Sequence, residues 1–356
     1  MNSITAKMTL PKQSGVTLLI VLVIVALVTI IATQFIEQSI YSERRTKLML
    51  GRQQAYELAL GGEMLAKKWL VQGFGNDETV HLDQPWATTP FEFPLEGGMI
   101  AATIVDAQSC FNLNSLQPIA NNNQPNQPAD PSNQLYQNLL SELLRDLPDS
   151  NLSDQGLLET VVDWIDADTR PSGNDGAEDQ EYTGYTIPYR TANSLIANYS
   201  ELRVIKGYDS NIYELLKPYV CALPDSNVRS INVNTLQSDQ ALLLSAANSQ
   251  LSPDQAAELI SSRPEGGYDA NSFNEAVNEL LANNPNQAPS PPSNGRNGPQ
   301  QNTGTNNILS YTSDHFFVNI TVDYQGASFK MKSLLKREGS GQNTTFSLIS
   351  RYFGAI

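Results

Sequence analysis

Histidine, cysteine and basic residues are scarce in this sequence. Its 356 residues include two histidines and two cysteines, and 22 lysines and arginines face 37 aspartates and glutamates, for a net charge of −15. So few histidines and cysteines disfavour a zinc or iron site. The acidic balance would repel nucleic-acid phosphates, so a role with nucleic acid is disfavoured as well. An aromatic content of 8% is normal for a folded protein and argues against wholesale disorder.

Charge is also absent from residues 16–36, which directly follow Gly15. A helix of about 20 apolar residues crosses a bilayer. No A-x-A pattern follows the apolar segment, as it would in a secretory signal peptide, and residues 37–45 are polar. Any cleavage would therefore keep the apolar segment with the mature chain.

The flanks of the apolar segment predict its orientation. Lys7 and Lys12 precede it without an acidic neighbour, which favours a cytoplasmic N-terminus and a single pass, with the bulk of the chain outside. In a bacterial cell that bulk would be periplasmic and anchored to the inner membrane. Cys110 and Cys221 would then meet an oxidising space, where a disulfide is plausible. Two buried, unpaired thiols are the alternative.

Hydrophobic periodicity predicts an α+β protein with one helix over residues 17–70, apolar at first and then amphipathic. Short strands are expected over residues 91–104, with a turn at 96–98, and again after residue 307, with a mostly helical region between them. Within that region helices are predicted over residues 135–147 and 154–165, with Asp154 as an N-cap candidate. The helical region would therefore be a large insertion between strands of one antiparallel sheet. The predicted segments are a leader (1–15), a transmembrane and assembly helix (16–70), the first part of the core (71–111), the helical insertion (112–282), a flexible linker (283–307) and the C-terminal strands of the core (308–356).

Two similar strings indicate an internal duplication within the insertion. FNLNSL at residues 111–116 and INVNTL at residues 231–236 both open a helical stretch, although chance similarity is the alternative. The second string leads into a helix, a turn at 251–253 and another helix, which resembles a helix-hairpin-helix module. This stretch lacks the glycine-rich hairpin and the basic residues of a nucleic-acid reader, so we interpret it as a packing unit.

Carboxylates concentrate in one loop, where Gly173 and Gly176 allow the backbone to turn. Crowded carboxylates repel one another unless a cation neutralises them, and oxygen ligands in a glycine-rich loop suit Ca²⁺. The spacing is not that of an EF-hand. A solvated acidic loop is the simpler alternative, and a catalytic carboxylate pair is a third, although no nucleophile with its base lies nearby. The acidic residues are Asp163, Asp166, Asp168, Asp175, Glu178, Asp179 and Glu181, and the downstream stretch through Glu201 could supply further ligands.

Several strings resemble those of the K-type minor pseudopilins of type II secretion, the general secretion pathway protein K family. They are DWIDADTRPSGNDGAEDQEY, IPYRTANS, SELRVIKGYD and INVNT, and the resemblance covers roughly residues 15–323. The N-terminus, in which a basic residue and a glycine precede an apolar helix that cleavage would retain, resembles that of type IV pilin-like precursors. The resemblance implies a pseudopilin fold in which a long N-terminal helix and an antiparallel sheet are interrupted by the insertion.

The resemblance also implies processing, ligands and partners. A prepilin peptidase would cut after Gly15 and leave Val16 as an N-methylated terminus. The family binds Ca²⁺, which implies one or two structural ions in the acidic loop. The subunit would sit at the pseudopilus tip, above the major pseudopilin filament, with the I-type and J-type minor pseudopilins. The implied ligands are Asp166, Asp168, Asp175, Glu178 and Asp179, with Glu201 as a further candidate.

Ile20 departs from the general pilin pattern, which has glutamate at the fifth mature position. A carboxylate inside the apolar helix is costly unless it is paired, for example with the terminal amine of a neighbouring subunit. A subunit without it is poorly suited to repeated stacking and suited to one end of a filament. A non-enzymatic tip subunit that helps initiate assembly for export of folded proteins is the leading hypothesis. The alternatives are a minor pilin of a type IV pilus and a membrane-anchored periplasmic calcium-binding module or enzyme.

Overall fold

A computed structural model describes residues 14–75, 77–88, 91–118, 130–145, 153–282, 308–339 and 341–354. The predicted linker at 283–307 and most of the predicted leader lie outside these ranges. The helices are α1 (Ser14–Phe74), α2 (Pro85–Thr88), α3 (Pro131–Leu144), α4 (Asp154–Ile165), α5 (Asp179–Thr183), α6 (Ser210–Leu216), α7 (Ala241–Ala247), α8 (Pro253–Ser261) and α9 (Ala270–Ala282). The strands are β1 (Phe91–Leu95), β2 (Gly98–Asp106), β3 (Phe111–Asn112), β4 (Val220–Cys221), β5 (Ile231–Asn232), β6 (Leu309–Ser310), β7 (His315–Tyr324), β8 (Ala327–Glu338) and β9 (Thr345–Phe353).

Helix α1 is longer at both ends than the predicted 17–70, and it ends before Gly75, whose φ of +52° is the left-handed conformation common after helices. Residues 16–50 are exposed, so about 50 Å of helix projects beyond the folded body. From Gly51 onward one face packs on the sheet. Gly62 allows close approach, since a Cβ there would lie 3.2 Å from Ile100 Cγ2.

The sheet has five antiparallel strands in the order β1-β2-β7-β8-β9. Strands β2 and β7 are neighbours although most of the insertion separates them in sequence, and Asp106 pairs with Phe316 where the insertion begins and ends. This confirms the predicted α+β fold with its split sheet. The sheet buries apolar side chains such as Ile320 and Met331 against α1.

The contacts at the two ends of the packed part of α1 show which end of the core carries the insertion. Gly51 lies against Ala327 at the β7–β8 turn, near the apolar half of the helix. At the other end of α1 the ring of Phe74 is 5.2 Å from the ring of Phe316. The chain leaves the sheet at Asp106 and returns beside Phe316, so the insertion lies at the end of the core farthest from the apolar half of α1.

The insertion has its own hydrophobic core, built by α3, α4 and α6 to α9. The predicted α4 boundaries hold, but its N-cap is Ser153, whose hydroxyl accepts from the Gly156 N–H at 3.1 Å. Asp154, the predicted cap, lies one residue inside the first turn, where an acidic side chain favours the helix dipole. Helix α3 begins earlier than the predicted residue 135, because Asp130 caps it and Pro131 opens it.

The two similar strings adopt the same local structure, as an internal duplication predicts. Each opens with a short parallel strand pair, β3 with β4 and β5 with β6, followed by a 3₁₀ turn. In the first copy Asn114 donates to the carbonyl of Ile196 and accepts from its N–H at 2.8 Å. In the second copy Asn234 makes the same pair of bonds to Tyr268, at 2.8 and 2.7 Å.

A second repeated string, Gly-Tyr-Asp at 207–209 and 267–269, escaped the sequence reasoning. Each aspartate caps the helix that follows, α6 or α9. Each tyrosine hydroxyl donates to a helix carbonyl, Tyr208 to Leu157 in α4 and Tyr268 to Leu259 in α8. These matching contacts make α4 and α8 equivalent elements of the two copies.

Candidate metal centre

The acidic loop connects the C-terminus of α4 to the N-terminus of α5. Asp166 ends α4 and Glu178 immediately precedes α5. Asp166, Asp168 and Glu178 each place one carboxylate oxygen within 4.8 Å of the other two, and we call these three residues the carboxylate cluster. Glu178 is buried, Asp166 is partly buried and Asp168 is exposed, so the cluster has one open side.

Two buried carboxylate oxygens in this loop have no hydrogen-bond partner among the described residues. They are Oε1 of Glu178 and Oδ2 of Asp163, whose other oxygen accepts from the Ser172 N–H at 2.9 Å. Burial of such an atom without a partner costs about 1–3 kcal/mol, and more for a charged group. Of the two residues, Glu178 belongs to the carboxylate cluster, so a cation held by the cluster would compensate its buried charge.

The pKa values of the carboxylates at the cluster also indicate that positive charge is missing there. Burial, with the neighbouring Asp163 and Asp166 charges, raises the pKa of Glu178 to about 7. Burial and the nearby Asp168 charge raise the pKa of Asp166 to about 6, and burial raises the pKa of Asp163. The folded loop therefore disfavours the ionised carboxylates that it brings together, unless positive charge arrives.

The remaining contacts hold the loop in shape. Glu159 of α4 accepts from the backbone N–H groups of Asn174 and Asp175 at 3.1 and 3.0 Å. A side chain at Gly176 would collide with the Ser172 carbonyl and with Asp163 Oδ2. The backbone at that residue must therefore lie directly on the carboxylate, which only glycine permits.

Three predicted ligand residues lie outside the cluster and contribute to the scaffold. Asp175 packs against Gly156 of α4. Asp179 accepts from the N–H and hydroxyl of Thr191 at 3.1 and 2.9 Å. Glu201 accepts from the N–H groups of Ala197 and Asn198 and from the Trp164 indole at 2.8, 3.1 and 3.3 Å, so its two oxygens are already engaged.

Asp163 is the residue that the ligand prediction omitted. It lies one helical turn before Asp166, so the two side chains share a face of α4. That i, i+3 spacing in Asp-Trp-Ile-Asp was the available signal. Only the fold shows that the Asp163 side chain turns back under the loop rather than into the core of the insertion.

The donor set is chemically narrow. The carboxylate cluster and Asp163 offer oxygen ligands, and His81 and His315 lie on other elements. Oxygen-only ligation at a flexible loop suits Ca²⁺ better than zinc or iron. The residues present therefore fit a calcium ion.

The predicted disulfide is present and lies where the insertion meets the sheet. Cys110 and Cys221 are bonded, with their Cα atoms 5.8 Å apart. Beside this bond Asp106, at the end of β2, is 3% exposed and accepts hydrogen bonds from Gln108, Asn232, Thr235 and Ser313, which we call the junction network. Covalent and polar links therefore join the two parts of the chain.

The N-terminal processing residues lie at the exposed start of α1. Val16 is 68% exposed and Ile20 is 51% exposed. By length and hydropathy α1 is the one helix in the described part of the chain that qualifies to cross a membrane. The chain is therefore an α+β protein with a long, apolar N-terminal helix that fits a membrane anchor, and its sheet carries an inserted helical domain with an acidic, oxygen-only cluster.

Comparison with known proteins names the family. Two family models described as type II secretion system (T2SS), protein K match residues 109–225 and 231–291, which correspond to the two copies of the repeat. A type II secretion system protein K from Pectobacterium carotovorum is 36% identical over 92% of this chain and 94% of its own length. One from Klebsiella pneumoniae is 33% identical over 96% and 97%. This chain belongs to the type II secretion system protein K family.

A solved structure agrees with this assignment. The chain is similar to one in the crystal structure of the GspK-GspI-GspJ complex of the enterotoxigenic Escherichia coli type 2 secretion system. The sequences are 31% identical, the TM-score is 0.67, and the match covers 88% of this chain and 100% of the other.

Proposed function

We propose that this protein is a structural, non-enzymatic minor pseudopilin that caps the periplasmic tip of the type II secretion pseudopilus. It would help initiate assembly of the filament that exports folded proteins across the outer membrane. Its direct partners would be the I-type and J-type minor pseudopilins, as the complex that contains its structural relative suggests. The major pseudopilin filament would lie below this group.

The position of the insertion carries this proposal. It leaves β2 at Asp106 and returns beside Phe316, opposite the end of the core near the projecting apolar helix. In a filament built from parallel N-terminal helices, a further subunit would have to occupy space above the core. The insertion fills that space, so the subunit suits the last position of a filament and not a repeated one.

Ile20 supports the same position. A glutamate at this place in the apolar helix would need a cationic partner from the neighbouring subunit. Ile20 has no such need and offers no such bond. The subunit therefore lacks the polar link that helps a repeated subunit recruit the next one.

Maturation and location follow from the N-terminus. A prepilin peptidase would cut after Gly15, and the new Val16 amine would be methylated. The retained helix would span the inner membrane once, with a cytoplasmic N-terminus and a periplasmic body. The disulfide between Cys110 and Cys221 is consistent with an oxidising compartment.

Calcium would serve folding rather than catalysis. Asp166, Asp168 and Glu178 would hold the ion, with Asp163 beneath them. A bound ion would neutralise these carboxylates, including the buried Glu178, one of whose oxygens has no partner among the described residues. Glu178 also accepts a hydrogen bond from the Thr191 hydroxyl at 3.3 Å. An ion that holds Glu178 in place would therefore also hold the segment that follows α5.

The experiment is recovery of the full-length chain, by affinity tag, from cells that make the whole secretion system. We expect the I-type and J-type subunits to copurify, and mass spectrometry to find a methylated N-terminus at Val16. A Gly15→Val variant should remain uncut, whereas Gly61→Ala, a control on the same helix, should be processed normally. A chain that starts at Met1 or beyond residue 36, or that copurifies with neither subunit, would contradict the proposal.

A further inference from the structure

A partly enclosed cavity lies between the insertion and the face of the sheet that points away from α1. Its volume is about 340 Å³, in the range of ligand pockets in proteins. Three separate parts of the chain meet there, since residues 197–199 and 217–222 of the insertion overhang β7, β8 and β9. The side chains used below are Val105, Val220, Phe317, Lys332 and Tyr352.

Lys332 supplies the cationic group of this cavity. Its ammonium nitrogen is 4.0 Å from the centre of the Phe317 ring, and it makes no ion pair with a carboxylate of the described residues. Its partly buried position lowers its pKa by desolvation. A lysine held over an aromatic ring in a recess is a cation that still has room for an anionic partner.

The other walls expose more apolar than polar surface, and the one carboxylate among them, Asp106, is already engaged by the four donors of the junction network. Val105 and Val220 line the cavity, together with the Cys110–Cys221 disulfide. Lys217 lies at an exposed part of the rim, where its nitrogen is 3.4 Å from Glu214 Oε2. Apolar walls around one convergent cation are the usual composition of a site that binds an anionic group together with an apolar neighbour.

We propose that this cavity binds a carboxylate flanked by an apolar side chain, presented by a partner polypeptide. The carboxylate would pair with Lys332, and the apolar side chain would contact Val105 and Val220. Two sources share this chemistry, the C-terminus of a chain and an acidic side chain within it. The site is remote in sequence from the carboxylate cluster and does not depend on calcium or on the position of the subunit in a filament.

The test uses the full-length protein in detergent micelles and fluorescein-labelled peptides, with fluorescence polarisation as the readout. One peptide ends in Gly-Leu-Leu with a free carboxylate, the second is its C-terminal amide, and the third is amidated but carries Leu-Asp-Leu. We expect the first or the third to bind at least tenfold more tightly than the plain amide. Binding of the first alone identifies a chain terminus, and binding of the third identifies a side chain.

Variants connect the binding to Lys332. Lys332→Met should lower the affinity for the carboxylate peptide at least tenfold, whereas Lys332→Arg should retain the affinity. Lys330→Met is the matched control, because Lys330 lies two residues earlier on the same face but is exposed and outside the cavity. Val105→Asp, a change at a half-exposed wall position, should block the site by placing a carboxylate beside Lys332.

Three results would overturn the inference: equal binding of the plain amide, unchanged binding by Lys332→Met, or no binding of any peptide. The Val105→Asp variant keeps the test decisive if Lys332→Met fails to fold, since it retains the lysine. A melting temperature within a few degrees of the parent protein establishes that each variant is folded.

Discussion

Two of the regions that bury carboxylates, the junction network and the acidic loop, satisfy them in opposite ways. In the junction network, Asp106 accepts four hydrogen bonds, from Gln108 at 2.8 Å, Asn232 at 2.9 Å and the hydroxyls of Thr235 and Ser313 at 2.6 Å. In the acidic loop, Glu178 and Asp163 each retain a buried oxygen without a partner among the described residues. Burial raises the pKa in both regions.

The difference lies in the donors that surround each carboxylate. Neutral donors from both parts of the chain surround Asp106, so the protein itself satisfies that site. The loop supplies fewer donors and more negative charge, which is the arrangement that the proposed cation would complete. Acidic residues alone do not distinguish the two regions; the number of donors around each oxygen does.

The largest expected effect concerns the covalent link of the junction. Replacing both Cys110 and Cys221 with serine removes a bond that closes a loop with a sequence separation of 111. In the chain-entropy model such a loop is worth about 4–5 kcal/mol. Urea denaturation of the double variant should show a loss approaching this value in the free energy of unfolding. A loss below about 1 kcal/mol would mean that the junction depends on its polar contacts alone.

The next effect tests the polar part of the junction. Asp106→Ala leaves several buried donors without an acceptor, at about 1–3 kcal/mol for each donor that water cannot reach. We expect the free energy of unfolding to fall by about 3–4 kcal/mol, by comparison with other buried networks that lose one partner. Asp323→Ala, an exposed change on β7, is the control and should cost under about 0.5 kcal/mol. Equal effects at the two positions would mean that the hydrogen bonds around Asp106 contribute no more to stability than an exposed carboxylate does.

The third prediction is that calcium stabilises the folded protein by binding at the acidic loop. A ligand bound by the folded state alone, at 100 times its Kd, raises the free energy of unfolding by about 2.7 kcal/mol. Asp168→Ala and Glu178→Gln should abolish most of the rise in melting temperature with added Ca²⁺. Asp175→Asn should retain most of it, because Asp175 lies outside the carboxylate cluster. Loss of the calcium response in Asp175→Asn alone would assign the ion to the scaffold residues instead.

The smallest and most diagnostic effect is a dependence on pH. Without calcium, the folded-state pKa values of Glu178 and Asp166, about 7 and about 6, lie above their ordinary values of 4.5 and 3.8. The folded state then holds more protons than the unfolded state, so these groups reduce the free energy of unfolding as pH rises from about 4 to 7.

With saturating calcium the trend should reverse, because the ion binds the ionised carboxylates and its affinity increases with pH. The measurement is chemical denaturation between pH 5 and 7.5, with calcium and with a chelator that holds calcium away. Parallel curves would show that the ion does not bind these groups. Asp106→Asn should leave the difference between the two curves unchanged.

Local patterns were sufficient for much of the fold. The existence of the long helix α1, the turn between β1 and β2 and the strands after residue 307 are set by short-range periodicity and turn chemistry, and the structure confirms them, although α1 extends beyond both predicted ends. The duplication was visible in the paired asparagine strings. The Gly-Tyr-Asp repeat was missed because three residues are too few to stand out, although both glycines have a positive φ, +90° at Gly207 and +78° at Gly267.

The site was less predictable. Acidic composition and glycine spacing predicted a loop that could hold a cation, and the structure brings Asp166, Asp168 and Glu178 together. Asp175, Asp179 and Glu201 have the same side-chain chemistry, yet each is engaged with the scaffold. Asp163 was passed over because its place on a helix gave no sign of which way it faces.

The sequence by itself determined the long apolar helix, the strand segments on either side of the insertion and the location of the acidic loop, because each depends on composition or on neighbours a few residues away. The tertiary structure alone decided which carboxylates converge, which are satisfied and which remain open. It also decided that Lys332 faces a cavity under the insertion. These outcomes depend on distances between residues far apart in the chain, and such distances exist only after the chain has folded.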